Sequence, residues 1–301
     1  MKKLTGVNTP ISCPMTPDQQ VDYAGLEKLC DYLIEKGVDG IYPSGSTGEM
    51  AYLTLDERKK ILETVLKTVA GRVNVFCMVG ANTTRDTIEL ARHAEKVGAD
   101  GIGVVTPYYF TLDDTELENY FVQTAQSVSP DFPVYLYGIP QLAVNDITPQ
   151  LAESVALKAK NVIGIKYSWP DMPRLIQFMN ILDGKFSVIC GPDDLFLATI
   201  ASGGDGTISG NSNVIPEYFI AIRDAFRKGD LERARKLQLN ANKLIAVISG
   251  PNNIVKYKTG LVHRGIIKSD TVRSPFRQLT KEEKTLYLQT LDKMDFTVPK
   301  V

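Results

Sequence analysis

Short, apolar, β-branched runs alternate with amphipathic helical patterns along the first three quarters of the chain. The runs at residues 6–12, 40–44, 73–80, 101–107, 134–139, 162–167, 186–191 and 206–210 predict strands. Between them, helical spacing predicts helices over stretches such as 23–36, 55–69, 84–97 and 116–127. Helix starts are marked as well. Thr54 and Glu57 have the spacing of a capping box, and Thr148 followed by Pro149 sets proline at a first helical position. From Pro216 onward the pattern is almost entirely helical, over 217–228, 231–248, 254–264 and 281–294.

One joint recurs three times. Lys36-Gly37-Val38-Asp39-Gly40-Ile41, Val97-Gly98-Ala99-Asp100-Gly101-Ile102 and Ser202-Gly203-Gly204-Asp205-Gly206-Thr207 each end a helix on glycine and lead through Asp-Gly into a strand. A repeated helix-to-strand joint implies repeated βα units and hence a parallel sheet. Eight such units in about 225 residues predict an α/β protein, a (β/α)8 TIM barrel. A doubly wound open sheet is the alternative, but no G-x-G-x-x-G follows the first strand. The expected organisation is a catalytic barrel over residues 1–225 with a C-terminal helical extension, 226–301, packed on it. No Pro-, Gly- or Ser-rich linker divides the two.

Composition narrows the class of protein. Of 301 residues, 44% are hydrophobic and 23% charged, the balance of a globular chain. A net charge of −1 offers no basic surplus, so nucleic acid and anionic membrane are poor partner expectations. Two lysines near the amino terminus have no apolar run behind them, and no stretch approaches a membrane span. Cys13, Cys30, Cys77 and Cys190 are widely spaced and form no cluster with histidine, so zinc is not expected and reduced thiols in the cytoplasm are. With only two histidines, His93 and His263, acid–base chemistry falls to lysine, tyrosine or carboxylates.

The candidate chemistry lies where barrel enzymes keep it, at the carboxy ends of the strands. Lys166 ends the run Val162-Ile163-Gly164-Ile165-Lys166-Tyr167, on the same strand face as Gly164, which is expected to clear space beside the amine. A lysine buried in such a strand is either paired or used, and a neutral amine condenses with ketones to form an imine. Alternatively, its head snorkels to the strand's mouth and caps carbonyls. Gly45-Ser46-Thr47-Gly48-Glu49 forms a glycine-rich turn whose hydroxyls and amides could hold a carboxylate, or be ordinary turn chemistry. Thr106-Pro107-Tyr108-Tyr109-Phe110 and Tyr135-Leu136-Tyr137-Gly138-Ile139-Pro140 put tyrosines at two more strand ends, as proton carriers or as packing. Asp193 and Asp194 after the seventh strand could grip a polar substrate or cap the following helix. Collected on one apex, these groups match Schiff-base chemistry on a small 2-oxo acid.

Through G-S-T-G-E, T-P-Y-Y, Y-x-I-P and G-I-K, the chain from about Leu4 to Ile267 resembles the dihydrodipicolinate synthase/N-acetylneuraminate lyase family of pyruvate-type class I aldolases. The resemblance implies an imine on Lys166 with pyruvate or its aldol adduct, and Tyr137 as the acid–base group beside it. It implies that Ser46 and Thr47 hold the substrate carboxylate and that Gly191 and Ile208 line the pyruvate pocket. It also implies that Tyr109 reaches into a neighbouring subunit of a homotetramer, a dimer of dimers. No cofactor or metal is implied beyond the covalent imine.

Branch markers divide. The lysine-biosynthesis synthases carry an arginine where this chain has Leu142, and leucine cannot replace a bidentate guanidinium. Leu142 and Ser168 agree with sialic-acid lyases, and Asp193-Asp194 resembles their sugar-gripping acidic pair. Gly138, Val144, Trp169-Pro170 and Gly210 depart from the lyase pattern, which opens the field to a shorter 2-keto-3-deoxy sugar acid or another 4-hydroxy-2-oxo acid. The expected function is therefore a lyase or aldolase that cleaves or forms a hydroxylated 2-oxo acid. The alternatives are a synthase or dehydratase using the same imine, or a catalytically silent 2-oxo-acid sensor.

Overall fold

In the computed structural model, eight parallel strands close into a barrel in the order β1 to β8. The structure describes residues 1–301 except Pro251, Asp295, Thr297, Pro299, Lys300 and Val301, so the end of the expected extension lies outside the described residues. The strands are β1 Gly6–Thr9, β2 Gly40–Ile41, β3 Asn74–Met78, β4 Gly101–Val105, β5 Val134–Gly138, β6 Val162–Tyr167, β7 Ser187–Cys190 and β8 Gly206–Ile208. Helices α1 Tyr23–Lys36, α2 Leu55–Val69, α3 Thr84–Lys96 and α4 Asp114–Gln126 follow the first four strands. Next come the single turn α5 Pro140–Ala143, then α6 Pro149–Lys158, α7 Met172–Met179, α8 Phe196–Ala201 and α9 Pro216–Arg227. Helices α10 Leu231–Ile248, α11 Asn253–His263 and α12 Lys281–Asp292 end the described fold. None of the described helices is long and apolar enough to cross a membrane.

The chain divides into two compact units, Met1–Gly6 with Asn74–Ile208, and Val7–Val73 with Ser209–Val301. Each contains the punctuation that the sequence repeats. Gly37, Gly98 and Gly203 take φ of 95°, 86° and 103°, the left-handed region that glycine enters without a Cβ penalty. The aspartates two residues on act as staples. Asp39 donates its N–H to the Val7 carbonyl (2.8 Å) and accepts the Val7 N–H on its carboxylate (2.7 Å). Asp100 does the same with Val75 (2.8 and 2.8 Å), and Asp205 with Val188 (2.9 and 3.2 Å). Each repeat thus secures the amino-terminal end of one strand to its predecessor.

Several strands are shorter than the apolar runs predict. In β2 the ladder ends before Pro43, which has no N–H to give, and Ser44 turns to φ 58°. The capping box of α2 forms as expected, with Glu57 N–H donating to Thr54 Oγ1 (3.1 Å) and Thr54 N–H to Glu57 (2.8 Å).

The interior of the first unit explains Gly164 differently from the sequence reading. A Cβ there would lie 2.4 Å from the Ser187 carbonyl oxygen and 2.6 Å from Tyr135 Cε1. The glycine therefore makes room for the Tyr135 ring, not for the lysine amine. Tyr135 in turn accepts the Leu4 N–H (3.0 Å) and donates to Ser187 Oγ (2.9 Å), which donates to Asp205 (2.7 Å). One phenol thus links the amino terminus to the third Asp staple.

Candidate active site

In the first unit, β5 and β6 pair so that Tyr137 lies beside Lys166. Both are buried, at 1% and 5% exposure, and the Lys166 Nζ sits 4.0 Å from the centroid of the Tyr137 ring. The lysine's head therefore stays inside and does not snorkel outward. The neighbouring tyrosines are committed elsewhere. Tyr135 belongs to the Leu4–Ser187 chain, and Tyr167 donates to Asp146 (3.3 Å), whose charge adds to burial in pushing the Tyr167 phenol up.

Ser168 and Gly191 come together at the next two strand ends. Ser168 N–H donates to the Gly138 carbonyl and Gly191 N–H to the Tyr167 carbonyl, each at 2.8 Å. A Cβ on residue 191 would fall 1.9 Å from Ser168 Oγ, so the serine occupies the space that the glycine leaves. Gln141 Nε2 donates to the Ser168 carbonyl (2.8 Å), tying the α5 turn to the β6 end. Ile208, 2% exposed, ends β8. Asp193 and Asp194 fall in the first turn of the 3-10 segment Asp193–Leu195 before α8, where a carboxylate meets the amide dipoles favourably. Neither is the N-cap, because Pro192 and Leu195 hold those positions.

Tyr109 is not gathered with the buried pair. Its ring is 79% exposed and stands edge-on to Phe110 at 5.0 Å, on a backbone at φ 96°. The loop that presents it is nonetheless fixed. Asn145, buried, donates to the carbonyls of Pro107 (2.8 Å) and Phe110 (2.9 Å) and accepts the Leu112 N–H (2.8 Å). Val144, where lyases commonly have glycine, takes φ 64°, a conformation that costs a β-branched residue dearly.

In the second unit, Ser46 and Thr47 open a 3-10 turn, Ser46–Gly48, flanked by two left-handed residues, Ser44 (φ 58°) and Glu49 (φ 61°). The amides of Gly48, Glu49 and Met50 are used within the turn, on Gly45 and Ser46 carbonyls. The amides and hydroxyls of Ser46 and Thr47 have no partner among the described residues, and both side chains are half-buried. Two adjacent N–H groups and two hydroxyls left open in this way suit a carboxylate.

Sequence reasoning passed over a second buried lysine, Lys258, which is fully buried and ion-paired with Glu49. It also donates to the Thr271 carbonyl (2.8 Å), so its nitrogen is engaged by two partners inside the fold and is not presented to a substrate. The signal was present in α11, where Val255, Lys258 and Leu261 share one helical face and the two apolar members are core.

Residues 3–294 match the sequence profile of the dihydrodipicolinate synthetase family. YagE of Escherichia coli K12, a putative 2-dehydro-3-deoxy-D-gluconate aldolase, is 40% identical over 233 residues, 76% of each chain. Its crystal structure in complex with pyruvate matches with a TM-score of 0.91 and 34% identity, over 96% of this chain and 98% of that one. YjhH of the same organism, a probable 2-dehydro-3-deoxy-D-pentonate aldolase, is 36% identical over 250 residues, 82% of each chain. A Ruminococcus gnavus sialic acid aldolase, solved as a catalytic-lysine mutant, matches with a TM-score of 0.89 and 29% identity over 97% and 98% of the two chains.

Proposed function

The chain belongs to the dihydrodipicolinate synthetase family, as a class I aldolase nearer the lyases than the lysine-biosynthesis synthases, and from that premise we propose that it cleaves a 2-keto-3-deoxy sugar acid, reversibly, to pyruvate and an aldehyde. The observation that carries this reading is the buried Lys166 amine over the Tyr137 ring at the end of β6. Lys166 attacks the 2-oxo carbon, the Tyr137 phenol gives its proton to the departing hydroxyl, and water leaves, which gives a protonated imine beside a phenolate. As Tyr137 accepts the proton of the C4 hydroxyl, the C3–C4 bonding pair moves into the imine. An aldehyde departs and an enamine stays on the lysine. Tyr137 returns that proton to C3, and water hydrolyses the imine to release pyruvate, with the proton set free restoring the Tyr137 phenol beside the lysine amine. No cofactor or metal enters these steps.

Ser46 and Thr47 supply the open amides and hydroxyls for the substrate carboxylate, which keeps its charge in place while electrons flow toward the imine. Ser168, Gly191 and Ile208 shape the pyruvate end, and Asp193 and Asp194 accept hydrogen bonds from hydroxyls of the leaving sugar fragment. Tyr109 completes a proton path in a neighbouring subunit, and its exposed ring beside Phe110 suits burial in a tetramer of the cytoplasmic enzyme. Leu142, 66% exposed and uncharged, disfavours an aldehyde partner that bears its own carboxylate. N-acetylneuraminate is the second reading, supported by the likeness to the sialic acid aldolase.

A substrate panel tests the proposal. Pyruvate release is followed for 2-keto-3-deoxy-gluconate, a 2-keto-3-deoxy-pentonate and N-acetylneuraminate, and condensation is followed for pyruvate with aspartate semialdehyde. The expected result is fastest release from a 2-keto-3-deoxy sugar acid. Preference for aspartate semialdehyde would overturn the branch, and no reaction on any arm would overturn the activity.

A further inference from the structure

The buried Glu49–Lys258 ion pair is an unusual possession for a turn that makes no other use of charge. Both side chains are fully buried, and the pair lies at the far end of the Ser46–Gly48 turn. Glu49 also accepts the Arg273 N–H (2.8 Å), and Lys258 donates to Thr271, so both charges are further satisfied by one backbone strap. That strap is fixed in turn. The Arg273 guanidinium forks Glu57 at 2.7 and 2.8 Å, and it donates to the carbonyls of Gln19 and Tyr52. Glu57 is the acid of the α2 capping box, so the helix start and the strap hold each other.

A fully buried ion pair seldom adds stability beyond what well-packed apolar residues of the same volume would give. What it adds is direction, since the charges attract in only one arrangement of the two segments. Here that arrangement has a cost to offset, for Glu49 is a non-glycine residue at φ 61° and Ser44, at the other end, stands at φ 58°. Relaxed to ordinary backbone, the segment would lose the geometry that leaves the Ser46 and Thr47 amides open side by side. We propose that Glu49 and Lys258 are positioning residues that hold the S-T-G turn in its carboxylate-accepting form, so that the C-terminal helices take part in substrate binding through one buried lysine. The inference rests on the assignment of Ser46 and Thr47 as the carboxylate seat. Neither member of the pair touches substrate.

The test reads binding separately from chemistry. Adduct formation with pyruvate and borohydride is measured as a function of pyruvate concentration in the wild type, in Glu49→Gln and in Glu49→Gln/Lys258→Met. The double variant removes both charges together, and glutamine keeps an acceptor for the Arg273 amide. The expected result is a half-saturating pyruvate concentration raised tenfold or more, with the limiting rate of trapping within threefold of wild type, because Lys166 is untouched. Should the double variant fail to fold, Glu49→Gln alone carries the same expectation. A folded variant with half-saturation within twofold of wild type would overturn the proposal, and so would a loss confined to the limiting rate. A wild type that traps no pyruvate at all would overturn the functional reading beneath it.

Discussion

Adding one methyl group at residue 164 tests whether the strand beneath the lysine is held as tightly as the geometry implies. In Gly164→Ala the new Cβ starts 2.4 Å from the Ser187 carbonyl oxygen, 2.6 Å from Tyr135 Cε1 and 2.7 Å from Ser187 Cβ. Ordinary contact begins near 3.4 Å, so β6 and β7 must part by about 1 Å. Neither neighbour yields easily. One is backbone, and the other is a ring fixed by hydrogen bonds to Leu4 and Ser187. Overpacking of this kind costs about 1–3 kcal/mol. At about 2 °C per kcal/mol for a large domain, the melting temperature should fall by roughly 2–6 °C. Lys166 lies two residues along the same strand and rides on any shift. A misplacement of about 1 Å at a reacting group can lower a rate about 100-fold. Calorimetry and the rate of pyruvate release are the assays, and both losses are expected together. A Gly164→Ala protein with wild-type melting and wild-type rate would refute the argument that Tyr135 and Ser187 set the position of β6.

Asn145→Ala, which frees two carbonyls and one amide in the loop carrying Tyr109, should cost about 1–3 kcal/mol in urea unfolding, and an unchanged midpoint would contradict its role as a clamp. Asp205→Asn should destabilise the fold by a similar amount through Val188 and Ser187 while leaving the borohydride reaction of surviving native protein intact; a lost adduct in folded protein would contradict this. Burial alone would raise Glu217, but hydrogen bonds from Arg264 and Lys36 outweigh it and hold the carboxyl below its usual range. Its contribution is therefore complete above the unfolded value of about 4.3 and is lost as pH falls through the lower folded value. Glu217→Gln should flatten the acid limb of urea midpoint against pH, and an unchanged limb would refute the assignment. Burial pushes the thiols of Cys13, Cys30 and Cys190 up to about 12, so a native sample at pH 8 should label with a thiol reagent only on unfolding; rapid labelling of the native state would contradict it.

Much of the fold was legible because its signals are local. The Gly-x-Asp-Gly joints report a left-handed helix end and a strand start within six residues, and eight β-branched runs report eight strands. What the joints do with their aspartates was not legible, since Val7, Val75 and Val188 lie far along the chain from Asp39, Asp100 and, less distantly, Asp205. The site divides in the same way. Lys166 betrays itself as a charge in an apolar strand. Lys258 shares a helical face with the core residues Val255 and Leu261, but its importance depends on Glu49, more than two hundred residues away in the chain. Gly164 misled because a strand glycine announces crowding without naming the group that crowds it. Tyr135 does, from the neighbouring strand. Strand lengths were overestimated where proline and positive φ end a ladder inside an apolar run, as at Pro43 and Ser44.

Two lysines are buried, and peptide mass spectrometry after borohydride reduction with pyruvate decides which of them is the nucleophile. Lys166 should carry a single reduced pyruvyl group while Lys258 stays unmodified, and Lys166→Ala should carry none. Modification on Lys258, or an adduct that survives in Lys166→Ala, would contradict the assignment.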